Sequence, residues 1–111
     1  MSSVVIRSID REAIAQAVAS YAAELYAQYP EIDRVIWFGS WVNGLPTPRS
    51  DVDICLLLSA SNKPLHKRAP AYLPLGFPVG LDLFAYTQAQ LGRLRTESPA
   101  WYAAIAAGRE L

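Results

Sequence analysis

Apolar residues recur at helical spacing early in the chain. Ile14, Ala17, Val18, Tyr21, Ala22, Leu25 and Tyr26 fall on one face of a 3.6-residue period. Asp10 supplies an N-cap and Pro30 a stop, so the pattern predicts a helix from Asp10 to about Tyr29 with its stripe against a core. The pattern then changes to short, nearly continuous apolar runs bounded by Gly, Pro and Ser, at about 34–38, 52–58 and 80–86. These read as strands. Thr87 caps a predicted helix over about 88–95, and a last helix begins near Pro99 and ends at Gly108. Between the second and third strands Pro64, Pro70, Pro74 and Pro78 predict mostly loop, with at most a short helical piece. No repeat, low-complexity segment or linker interrupts the chain.

Helices and strands in this order predict an α/β fold, a small mixed sheet of three main strands covered by helices, in a single domain spanning 1–111. The first two strands are expected to pair antiparallel. The connection 59–79 is long enough for a crossover, so the second and third are expected to run parallel.

Polar residues that break the apolar runs carry the candidate chemistry. Asp53 is enclosed by Val52, Ile54, Cys55, Leu56, Leu57 and Leu58, and Asp82 lies between Leu81 and Leu83. A carboxylate in such a run is costly unless it is paired. Residues two apart on a strand point the same way, so Asp51 and Asp53 aim at one point. Turn chemistry after Pro46 and Pro48 accounts for Asp51 alone but not for Asp53. Mg²⁺ takes oxygen ligands, commonly one or two carboxylates completed by phosphates and water, and that is the demand this spacing meets. Upstream, Gly39-Ser40 ends the first strand. If Ser40 opens a short helix through Asn43, closed by Gly44, its free N–H groups and hydroxyl make an anion site beside the acids.

Taken together, Gly39, Ser40, Gly44, Ser50, Asp51, Asp53 and Asp82 carry a resemblance to the minimal nucleotidyltransferases of the DNA polymerase beta superfamily. The match runs from Val35 to Tyr86, and the segments 98–101 and 105–111 are similar to the tail of these small proteins. The resemblance implies transfer of a nucleoside monophosphate, AMP from ATP being the expected case, to a hydroxyl. It implies two Mg²⁺ ions held by Asp51, Asp53 and Asp82, with Asp53 bridging and Asp82 taking the acceptor proton. Gly39 and Ser40 are implied as binders of the β- and γ-phosphates. Small stand-alone members resemble the antitoxin half of toxin–antitoxin pairs, whose partner is an all-helical HEPN ribonuclease that some silence by adenylylating its tyrosine.

The chain departs from its relatives where they often carry Arg or Lys, in the short helix, which here reads Trp41-Val42-Asn43. Arg49, or the cluster Lys63, His66, Lys67 and Arg68, are the candidates for the missing cation. The other reading of that cluster is a solvated basic loop.

Charge narrows the acceptor. The 111 residues carry 10 basic and 10 acidic side chains and are 52% hydrophobic. That balance argues against a duplex-DNA binder, which needs a basic face. A small or protein acceptor fits better, with the wall that positions it supplied by a partner or a second copy. Trp41, Trp101 and Tyr102 are candidate partner anchors, with core positions as the alternative. The single Cys55 reads as buried and uncatalytic. No membrane-length apolar run or signal peptide is read, so the cytoplasm is the expected location. Two rival readings stay open: an antitoxin that works by contact alone, and an enzyme acting on a small hydroxyl compound.

Overall fold

The computed structural model describes residues 10–111. Helix α1 (Arg11–Gln28) leads into strand β1 (Ile32–Phe38), the short helix α2 (Ser40–Asn43) and strand β2 (Val52–Leu58). Helix α3 (Leu65–Tyr72), strand β3 (Leu81–Thr87), helices α4 (Gln88–Glu97) and α5 (Pro99–Ala106), and strand β4 (Arg109–Glu110) complete it. The sheet has four strands in the order β3-β2-β1-β4. β1 pairs antiparallel with β2, and β2 pairs parallel with β3, as expected. The two-residue β4 joins the three main strands as an antiparallel edge on β1, a pairing too short to leave an apolar pattern in the sequence.

Local chemistry sets the boundaries. The Asp10 carboxylate accepts from the Ala13 N–H at 2.9 Å and starts α1. Thr87 and Gln90 form a reciprocal capping box that starts α4, which runs to Glu97, beyond the expected 95. α5 carries Pro99 in its first turn and ends at Ala106, before Gly108. α3 is the short helical piece anticipated between the strands; it contains Pro70, which has no N–H to give to the His66 carbonyl. Among the described residues no helix is long and apolar enough to cross a membrane.

The sheet is covered on both faces, and the alternation along each strand decides which. Val35, Trp37, Val52, Ile54, Leu56, Leu58, Leu83 and Ala85 pack with Ile14, Val18, Tyr21, Ala22 and Leu25 of α1. On the other face Ile36, Phe38 and Cys55 pack with Ile105, Phe84, Tyr86, Leu91, Leu94 and Trp101. β2 is therefore sandwiched, which is why it reads as a continuous apolar run. Cys55 is fully buried, and burial pushes its thiol up to about 12, so it is a core residue.

Of the basic cluster, Lys63, His66 and Lys67 are exposed and Arg68 is structural. The Arg68 side chain is 6% exposed; its Nε donates to the Lys63 carbonyl at 3.0 Å, and its Nη1 reaches the Ala85 carbonyl and the Gln90 side chain. It clamps α3 onto the end of β3 and the capping box of α4.

Gly108 lets the chain turn from α5 into β4 directly against β1. A Cβ there would lie 2.7 Å from the Trp37 carbonyl oxygen and 2.8 Å from the Phe38 Cβ. By contrast, a Cβ at Gly92, inside α4, meets nothing within 4 Å. Gly108→Ala is expected to destabilise the fold by about 1–3 kcal/mol through overpacking. Gly92→Ala is expected to stabilise it by about 0.5–1 kcal/mol through helix propensity. Urea midpoints at unchanged slope measure both.

Candidate active site

Phe38 pairs with Asp53 across β1 and β2, and Asp53 pairs with Asp82 across β2 and β3. All three lie on one row of the sheet and, by strand parity, on one face. This row crosses the end of the sheet where β1 finishes and β2 and β3 begin. Asp51 sits one residue before β2, presented by a turn in which the Ser50 N–H donates to the Thr47 carbonyl at 3.0 Å and the Ser50 hydroxyl accepts from the Thr47 N–H at 2.8 Å.

Two glycines make room for the carboxylates. Gly39 has φ 88°, the left-handed region, and a Cβ on it would lie 2.1 Å from Asp53 Oδ2. A Cβ on Gly80 would lie 2.0 Å from Asp51 Oδ1. Each acid therefore rests directly on backbone, Asp53 on the turn after β1 and Asp51 on the approach to β3. The Gly39 carbonyl accepts from the N–H groups of Val42 and Asn43 at 3.0 and 2.9 Å, closing α2. The N–H groups of Ser40 and Trp41 have no carbonyl one turn behind them.

The electrostatics are those of crowded negative charge. Burial, then the Asp82 charge and hydrogen bond, then the Asp51 charge, push the Asp53 carboxyl up to about 6. A cation between the acids is the chemistry that relieves such a set, and oxygen donors on a glycine-lined floor suit Mg²⁺. Among the described residues no group of three or more His, Cys, Asp or Glu side chains is already disposed as a metal cage. The acids make an open arrangement, of the kind that substrate oxygens complete.

The structure brings Gly39, Ser40, Asp51, Asp53 and Asp82 to one end of the sheet. Asp82 differs from expectation in being exposed, because its strand lies at the sheet edge, so burial does not by itself require it to be paired. Lys63, His66, Lys67 and Arg68 lie at or before α3, whose Arg68 reaches the far end of β3, so they are not the missing cation. Arg49, exposed beside Asp51, remains. Trp41 is buried and its Nε1 donates to the Ser50 carbonyl at 2.9 Å, so it braces α2 against the Asp51 turn and is no surface anchor. Trp101 is half-buried against Phe38 and Phe84, with its Nε1 donating to the Tyr86 hydroxyl at 3.1 Å. Tyr102 is half-buried beneath the Arg95 guanidinium.

Three features were missed by sequence reasoning. Gly80 carries the one available signal, a glycine opening a strand two residues before an Asp. Asn43 donates to the Ala107 carbonyl at 2.7 Å and so ties α2 to the end of α5. Beside that tie, Ala104 and Ala107 leave a cavity of about 220 Å³ against Gly39, Ser40 and Gly44. A larger cavity, about 340 Å³, lies instead against Tyr29, Glu31, Lys63 and Tyr72, at the start of β1 and away from the acids.

Residues 7–94 match the family model of the mitochondrial-like poly(A) RNA polymerase central palm domain. The chain belongs to this palm-domain family. No curated protein matches it. Among solved structures it is similar to a candidate nucleotidyltransferase from Sulfolobus solfataricus, with a TM-score of 0.60 and 17% identity over 75% of each chain. That likeness concerns the fold, and it agrees with the DNA polymerase beta-like fold expected. The palm-domain match places the chain in the nucleotidyltransferase superfamily.

The raised Asp53 carboxyl has a sign that can be tested. Its folded value, about 6, lies above the ordinary 3.8, so the folded state binds the extra proton between those values. Stability of the metal-free protein should therefore fall as pH rises from about 4 through 6 and stay lower above that. After discounting for solvent screening, Asp53→Asn should gain roughly 1 kcal/mol at neutral pH and flatten this slope. Urea denaturation at pH 4 and pH 7 in chelator reads both, and an unchanged slope in the variant would remove the carboxylate crowding argument.

Proposed function

We propose that the chain is a Mg²⁺-dependent adenylyltransferase that moves AMP from ATP to a hydroxyl on a protein partner. The observation that carries this is the row of Asp53 and Asp82 with Asp51 beside it, seated on Gly39 and Gly80 next to the Gly39-Ser40 turn. The family, that of a poly(A) RNA polymerase palm, supports ATP as donor.

In this reading Ser40 and the first N–H groups of α2 hold the β- and γ-phosphates. The cavity beside Ala104 and Ala107 gives the triphosphate space on the α5 side. Asp51, Asp53 and Asp82 would hold Mg²⁺, which would supply charge neutralisation and Lewis acidity at the α-phosphorus. The acceptor oxygen forms its bond to the α-phosphorus as the bond to the pyrophosphate oxygen breaks, and Asp82, the exposed acid, takes the acceptor proton. Arg49 is the side chain closest in sequence to the acids that offsets leaving charge.

The rim favours a protein acceptor. Leu45, at 93% exposure, lies on the loop between α2 and Asp51, which also carries Arg49. The specific partner proposed is a helical HEPN-type toxin, with this chain as its antitoxin. The palm-domain match favours a second reading, in which the acceptor is the 3′-hydroxyl of RNA.

Labelled ATP with Mg²⁺, offered the co-expressed partner protein and an RNA oligonucleotide, separates the readings. Adenylyl label on protein, abolished by Asp51→Asn with Asp53→Asn, is expected. Label on RNA alone establishes the polymerase-like reading, and none on either leaves a contact-only antitoxin. Ser40→Ala should weaken ATP binding by roughly 1.5–3 kcal/mol and AMP binding much less. Equal losses in calorimetry would make Ser40 a turn residue only.

A further inference from the structure

The outer edge of β3 carries no further strand, and α3 covers it only in part, with Arg68 over the Ala85 carbonyl. The Val52 N–H donates to the Gly80 carbonyl at 2.9 Å. In a parallel ladder this phase turns the backbone groups of Asp82, Phe84 and Tyr86 toward β2, and those of Leu81, Leu83, Ala85 and Thr87 outward. Two contacts agree. The outward Ala85 carbonyl accepts from Arg68 Nη1 at 3.4 Å, and the outward Thr87 N–H donates to Gln90 Oε1 at 3.0 Å. Among the described residues no hydrogen bond reaches the Leu83 N–H, the Leu83 carbonyl or the Ala85 N–H.

A groove of about 270 Å³ runs along this edge. It is lined by Leu83, Phe84, Ala85 and Tyr86 and walled by Leu65 and His66 of α3. Four successive strand residues line one cavity only when it follows the strand's edge, since a cavity over one face meets alternate residues. Edge strands are ordinarily blunted by Pro, Lys or a bulge, and Leu81–Thr87 contains none of these. Its one charge, Asp82, belongs to the acid row.

We propose that a second copy of this chain pairs antiparallel across β3, with a two-fold axis through Leu83. Only an extended strand satisfies the free groups, and β3 is self-complementary in this register. Each Leu83 N–H meets the other copy's Leu83 carbonyl, and each Ala85 N–H meets a Leu81 carbonyl. The Ala85 carbonyl has a second lone pair for the Leu81 N–H beside Arg68. Leu83–Tyr86 is uncharged, and the two Asp82 side chains stand diagonally across the axis, not directly opposite each other. Such an axis is perpendicular to the sheet, so both copies keep the same face up. Asp82 then lies opposite Phe84 of the second copy, which, on the reading of the acids as an active site, adds an aromatic wall on the acceptor side.

Sedimentation equilibrium and hydrogen exchange test the pairing without nucleotide, so failure here is separate from failure of the catalytic reading. The mass should rise with concentration from 12.2 kDa to twice that value, while the Leu83 and Ala85 amides become slower to exchange. Ala85→Pro removes only an outward N–H, which edge strands tolerate. Leu65→Lys places a charge on the half-exposed wall of the groove and keeps the test usable if the proline variant folds poorly. Each should weaken association by about tenfold or more. A single-chain mass at the highest soluble concentration would overturn the proposal. So would a dimer that both variants leave intact, or one in which those amides exchange at the monomer rate.

Discussion

Seating one carboxylate, that of Asp53, at the end of a sandwiched strand is the constraint on which this molecule depends. β2 is covered on both faces, so any charge on it is costly unless it lies at the strand's open end. Asp53 meets that condition, second in its strand, with Phe38 on one side and Asp82 on the other. Its oxygen occupies the place of a Cβ on Gly39, and Asp51 takes the same place on Gly80. A side chain at either glycine would push the acids off the row. The crowding that raises the Asp53 carboxyl is thus built into strand pairing.

Much of this was legible in the sequence because the strongest signals were violations of pattern. An Asp inside Val52–Leu58 announces a site as clearly as the surrounding run announces a strand, and the alternation around Asp82 did the same. Less accessible features depend on partners distant in sequence. Arg68 reads as surface charge until the Ala85 carbonyl and Gln90 are brought to it. Trp41 reads as an anchor until Ser50 accepts its N–H. Asp82 reads as buried until β3 is known to be an edge. Gly80 has no meaning without Asp51 above it, and β4 is a pairing of two residues that tertiary packing alone selects.

The two ends of the sheet divide the labour. At the far end the Tyr72 hydroxyl donates to Glu31 Oε2 at 2.7 Å, the Tyr21 hydroxyl donates to the Tyr72 carbonyl at 2.7 Å, and Tyr29 packs edge-on against Tyr72. Burial and Glu31 push the Tyr72 hydroxyl up to about 12, so this network stays protonated and intact across physiological pH. It fastens α3 to the turn that enters β1, while Arg68 fastens the same helix to β3.

That fastening bears directly on the acids. β3 reaches β2 only after the long connection 59–79, and a slip of one residue between the two strands would turn Asp82 to the opposite face. Arg68 and the Thr87–Gln90 capping box set the last residues of β3 against α3 and α4, and the pleat carries that register to Asp82 at the first. The far end therefore acts on the site through register, with no contact to it. A structural arginine with neutral hydrogen-bond partners suits this task, because its guanidinium reaches the Lys63 and Ala85 carbonyls at once.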